Sequence, residues 1–202
     1  MKSTLEIEGL VADRIRESVA VKQALQRNEE FLTLVAEVAQ AIVESLRKNG
    51  TVFFFGNGGS AGDAQHLAAE LAGRYLRERQ GLAGLALTTN TSCLTAIAND
   101  YGYDHVFARQ LQAMGSAGDI AIGISTSGNS ASVLRAVEAA RGKGMITVGM
   151  TGEDGGKLKS LVDHCLSVTA DHTARIQEAH ILIGHILCEI VEEEMCDESR
   201  IS

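Results

Sequence analysis

Two short segments of this 202-residue chain concentrate groups able to hold an anion. Ser125-Thr126-Ser127-Gly128-Asn129-Ser130 sets four hydroxyls within six residues, after an apolar run and before a helical pattern that starts near 130. Hydroxyls donate to phosphate oxygens, Gly128 permits the turn, and a helix N-terminus favours negative charge. A plain helix cap needs only one such side chain, so the cluster points to phosphate binding. The second segment, Gly56-Asn57-Gly58-Gly59-Ser60, also joins an apolar run to a helix start. Its glycines let backbone N–H groups approach a ligand closely. They would serve a tight strand-to-helix turn just as well. The segment is neither GxGxxG nor GxxxxGKS, so it signals no dinucleotide or Walker-type site.

The elements that carry these loops are readable from hydrophobic pattern. Five short apolar runs, TVFFF (51–55), GLALT (84–88), DIAIGIS (119–125), MITVGM (145–150) and HCLSV (164–168), alternate with helical stretches. Near-continuous apolar strands between helices indicate a parallel sheet covered on both faces. Helices are expected over 60–79, over 92–114 with a break near Gly102, over 130–142, briefly near 156–161, and over about 174–196. The fold class is α/β, a five-stranded parallel sheet flanked by helices in the doubly wound manner, with ligands beyond the carboxyl ends of the strands. Before the first strand, residues 1–50 read as two helices. The second is capped by Asn28 and carries Phe31, Leu34, Val35, Val38, Ile42 and Leu46 at helical spacing; Asn49-Gly50 stops it. The expected organisation is one domain over 1–202: N-terminal helices to 50, an α/β core over 51–170, and a C-terminal helix with an acidic tail from 171.

Composition narrows the function classes. Net charge is −8, which argues against a general nucleic-acid binder, since that task needs a basic surface. Most of the imbalance is local: Glu189, Glu192, Glu193, Glu194, Asp197 and Glu198 face only Arg200. No apolar run approaches the ~18 residues of a membrane span, and the N-terminus lacks a secretory apolar block. A cytoplasmic protein without membrane or nucleic-acid partners is expected. The four cysteines, Cys93, Cys165, Cys188 and Cys196, form no metal-binding spacing and read as buried thiols in a reducing compartment.

Taken together, GNGGS, the His66/Glu70 pair, GISTSGNS, TGEDGG (151–156) and ARIQEAHILIGH (174–185) resemble the sugar isomerase (SIS) family along essentially the full chain. They are most similar to its branch acting on sedoheptulose 7-phosphate. The resemblance implies an aldose–ketose isomerisation through an enediol, giving D-glycero-D-manno-heptose 7-phosphate for lipopolysaccharide-type surface polysaccharide. It implies Glu70 as base and His185 as acid, and a zinc ion held by His66, Glu70, Gln177 and His185. It further places Asn57, Gly58, Gly59, Asn99 and Asp100 on the sugar hydroxyls. Ser125, Thr126, Ser127 and Ser130 fall on the phosphate, with Arg74 and Gln177 nearby, in a homotetramer. The spacing is compatible: His66 and Glu70 stand about 40° apart around a helix, and Gln177 and His185 about 80°. His180, about 140° from His185, is left outside the ligand set. The alternative is a non-catalytic protein of the same scaffold. It would bind a replication initiator, as suggested by the shared LTAIAND stretch (94–100), or sense a sugar phosphate. A binding module has no chemical need for His66, Glu70 and His185 together.

Overall fold

The computed structural model describes residues 2–196. Asp197, Glu198 and Arg200 of the acidic tail lie outside the described residues. Helix α1 (Thr4–Arg27) opens with a reciprocal cap, in which Ser3 accepts from Glu6 N–H and the Glu6 carboxylate accepts from Ser3 N–H. None of its residues is buried, and Leu10, Val11, Ile15 and Val19 are exposed. Asn28 caps α2 (Glu29–Arg47) by accepting from Phe31 N–H at 3.0 Å. That helix buries Phe31, Val35, Val38, Ile42 and Leu46, the face its spacing indicates, while Leu34 is half-buried.

The core is a five-stranded sheet, all parallel, in the order β2-β1-β3-β4-β5. The strands are β1 (Val52–Gly56), β2 (Gly84–Ala86), β3 (Ile120–Ser125), β4 (Ile146–Gly152) and β5 (His164–Val168). Alternation along β1 sends Phe54 to one face and Phe53 and Phe55 to the other. On the first face the sheet packs against α2, α3 (Gly59–Ala72) and α7 (Thr173–Met195). On the second it packs against α4 (Thr91–Tyr101), α5 (Ala108–Met114) and α6 (Ala131–Gly142). Both faces are therefore dry, which is why the strands lack polar alternation.

One helix ends earlier than its pattern indicates, and another breaks where expected. The stretch 60–79 stops being helical at Ala72. The backbone N–H groups of Tyr75, Leu76 and Arg77 donate to the Glu192 carboxylate on α7 instead of to preceding carbonyls. Arg79, paired with Glu192 at 2.9 Å, donates to the carbonyls of Glu70, Leu71 and Gly73. Both charges are almost fully buried and fully bonded. The stretch 92–114 breaks at Gly102 (φ +88°), continues as a 3₁₀ turn over Tyr103–His105, and resumes as α5. β4 runs two residues past its apolar run. Of the cysteines only Cys188 is buried, the other three being half-buried, and all four are free. No helix among the described residues is long and apolar enough to cross a membrane.

Candidate active site

Both loops sit where the topology puts them, after the carboxyl ends of the adjacent strands β1 and β3. In the 125–130 loop, Gly128 adopts φ +61°, and a Cβ there would strike the Gly155 carbonyl. The TGEDGG turn braces this loop from β4. Gly152 N–H donates to the Thr126 carbonyl at 3.0 Å, Leu158 N–H to the Gly128 carbonyl, and Lys157 N–H to Asn129 Oδ1. Ser130 is the N-cap of α6 yet makes no side-chain cap bond; its hydroxyl meets that of Ser125 at 3.2 Å. Ser127 Oγ accepts from Asn129 N–H. The serine cluster is thus more than a helix cap, and α6 presents its N-terminus to the loop.

In the first loop, Gly58 (φ +56°) is the N-cap of α3, again without a side-chain cap. The Gln177 amide from α7 fills the space beside Gly59 where a Cβ would stand. Asn57 ties the first loop to the start of α6 and to the 3₁₀ turn after α4: its amide donates to Ser132 Oγ at 3.0 Å and accepts from the Tyr103 hydroxyl at 2.9 Å.

A polar line follows the α3–α7 contact away from this loop. Gln177 Nε2 donates to Asp63 at 3.3 Å, and Asp63 lies one helical turn before His66. Burial raises the Asp63 carboxyl above its usual range, against the opposing pull of Gln177 and His66. Beyond it, His66 Nε2 is 2.8 Å from His185 Nε2 and 3.2 Å from Glu70 Oε1. One ligand atom from each of the three falls within 4.8 Å of the others. Two imidazole nitrogens this close, with a carboxylate beside them, either share one proton or turn both lone pairs on a cation. The donor set of nitrogen and oxygen suits zinc. Tyr75, delivered by the non-helical segment after α3, stacks on His185 at 5.7 Å.

The close approach has a packing cause. A Cβ on Gly184 would come within 2.6 Å of Leu67 Cδ1. Gly184 precedes His185 and Leu67 follows His66, so the bare glycine lets α7 close on α3 where the imidazoles must meet. Other expected residues are not members of this cluster. Asn99 and Asp100 lie exposed in the last turn of α4, bonded to each other. Arg74 is 61% exposed and faces Glu78 at 3.8 Å. His180 is fully buried and outside the cluster, as its helical angle requires. The sequence motifs do not single out Asp63, Tyr75, Tyr103, Ser132 or Gly184. For Asp63 a signal existed, since Asp63, His66 and Glu70 repeat at three and four residues along one helix face.

Residues 17–152 match the SIS domain family. The chain belongs to that family. Within it, the chain groups with the phosphoheptose isomerases. It is 52% identical to the phosphoheptose isomerase of Sulfurimonas denitrificans over 92% of this chain and 95% of that one. It is 50% identical to the phosphoheptose isomerase of Helicobacter pylori over 194 residues, 96% of this chain and all of that one. The structure of phosphoheptose isomerase GmhA from Neisseria gonorrhoeae superposes with a TM-score of 0.87 at 44% identity, covering 93% of this chain and 99% of that one. The SIS match ends before α7, whereas a match over 194 of 202 residues takes in Gln177 and His185. This SIS protein therefore shares with the phosphoheptose isomerases the helix that completes its histidine cluster, and it is an aldose–ketose isomerase.

Proposed function

We propose that the chain interconverts sedoheptulose 7-phosphate and D-glycero-D-manno-heptose 7-phosphate. The convergence of His66, Glu70 and His185 carries this reading. Aldose–ketose isomerisation needs a base to move a proton between C1 and C2 and an acid to serve the oxygens. Glu70 is the base: its carboxylate is partly shielded and bonded to His66. His185 is the acid, its ring held between His66 and Tyr75. Ser125, Thr126, Ser127, Ser130 and the α6 N-terminus take the phosphate, so no cluster of lysines is required. Asn57, Gly58, Gly59, Asn99 and Asp100 serve the sugar hydroxyls, with Arg74 and Gln177 nearby. Asn57 keeps one amide N–H free for this after bonding Ser132 and Tyr103.

His66, Glu70 and His185 would hold zinc, with Gln177, whose amide lies against Asp63 here, as the fourth ligand. When bound, zinc polarises the sugar's carbonyl and hydroxyl oxygens. The exposed apolar residues of α1 fit a homotetramer, which light scattering at micromolar concentration would contradict by returning a monomer mass. We place the enzyme in the cytoplasm, supplying heptose for surface polysaccharide. The deciding assay is conversion of sedoheptulose 7-phosphate by purified protein with zinc supplied. No turnover sinks the reading and returns the initiator-binding alternative. For the metal, His66→Ala should lower bound zinc, and unchanged content would remove the assignment.

A further inference from the structure

One of the two histidines of RIQEAHILIGH (175–185) is not used by the proposed site. His180 is fully buried on α7, and its Nε2 lies 2.9 Å from the carbonyl oxygen of Thr151. A carbonyl can only accept, so Nε2 carries the proton and donates. Nδ1 then holds a bare lone pair, buried with no partner among the described residues. An unpaired buried acceptor is unfavourable, and an aliphatic side chain would fill the space without it. The donated bond is therefore what a histidine adds at this position.

The bond ends on a peptide group with a second task. The carbonyl of the Thr151–Gly152 peptide accepts from His180, while its N–H donates to the Thr126 carbonyl at 3.0 Å. The peptide is trans and planar, so orienting one end orients the other. The Thr126 carbonyl belongs in turn to the peptide bearing Ser127 N–H, which points the opposite way, away from Gly152. A continuous line runs from His180 Nε2–H through two peptide groups to Ser127 N–H, each bond polarising the next. Gly152 permits the approach, since a Cβ there would come within 2.6 Å of the Thr126 oxygen.

We propose that His180 is a positioning residue for the anion loop 125–130, acting through the Thr151–Gly152 peptide. It rests on the reading that this loop binds the substrate phosphate. It also gives α7 two duties, because the helix that supplies Gln177 and His185 sets the loop on the far side of β4. The test compares zinc-loaded wild type, His180→Leu and His180→Gln, the last able to offer an N–H to the same carbonyl. Inorganic phosphate is the probe in calorimetry, and sedoheptulose 7-phosphate turnover is followed in parallel.

His180→Leu should bind phosphate about tenfold more weakly, the loss of roughly one buried hydrogen bond. KM should rise by a similar factor, with kcat changing less and bound zinc unchanged. His180→Gln should return both to within about threefold of wild type. A folded His180→Leu with wild-type phosphate affinity overturns the assignment, as does a His180→Gln no better than it. Should His180→Leu fail to fold, the wild-type imidazole N–H resonance decides. It should shift as phosphate saturates the protein, and a signal that stays in place overturns the proposal. Wild type that binds no phosphate defeats the reading of the loop itself, and His180's role falls with it.

Discussion

The bonds that shape loop 125–130 come from its own strand–turn–helix unit, from the end of the neighbouring strand β4 and from the 3₁₀ turn that follows it. The His66–Glu70–His185 cluster depends instead on two helices meeting 119 residues apart in sequence. The loop works with hydroxyls and backbone N–H groups, which keep one protonation state across ordinary pH. The cluster works with two imidazoles and a carboxylate, and its spacing rests on one bare glycine. The proposed function thus puts recognition on local, neutral parts and proton transfer on parts distant in sequence. The two halves should fail separately.

The largest effect should come from the reacting groups. Glu70→Gln and His185→Gln should each lower kcat by about 10²–10⁴-fold, while calorimetric phosphate affinity stays near wild type. Loss of phosphate binding in either variant would break the separation. Next in size are the two glycines that make each half. Gly184→Val should wedge α7 from α3 and cost about 1–3 kcal/mol in denaturant unfolding, with bound zinc falling by a larger factor than phosphate affinity. Gly128→Ala, forced to a positive φ against Gly155, should cost a similar ~1–3 kcal/mol and show the reverse pattern. Smaller still, Ser130→Ala should weaken phosphate binding by about two- to tenfold with zinc content unchanged. The smallest is a pH effect at the junction. Burial lowers the His180 pKa, against the opposing bond to Thr151, so the unfolded chain takes up this proton first as pH falls below about 6.5. Stability should therefore drop on going from pH 7.5 to 5.5. His180→Gln, with nothing to titrate, should lose less Tm over that interval; identical slopes would remove His180 from the account.

How much of this could be read from sequence follows the same division. The five strands, the Asn28 cap and the Ser125–Ser130 cluster are legible because pattern, cap and turn chemistry act over a few neighbouring residues. His66 and Glu70 are legible as a helix pair, but their meeting with His185 entered only through family resemblance. No local pattern says that Gly184 will sit on Leu67, that Tyr103 will bond Asn57, or that Tyr75 will face His185. The overlong helix at 60–79 has the same cause. Its local pattern is helical, and the carboxylate that ends it belongs to Glu192.

That ending has a consequence for how the chain reaches its native form. Most helices stop at a cap encoded within a residue or two, so their ends are set as early as their middles. The end of α3 is set by a side chain more than a hundred positions later, which cannot act until α7 has docked. Before docking, the C-cap residue Gly73 is a weak local stop, and if residues 73–79 wound on as helix Tyr75 would be carried away from its native place. Docking of α7 would then unwind that extension in the same event that brings His185 to His66. The histidine cluster and the segment that covers it should therefore gain hydrogen-exchange protection together, late, and after the sheet.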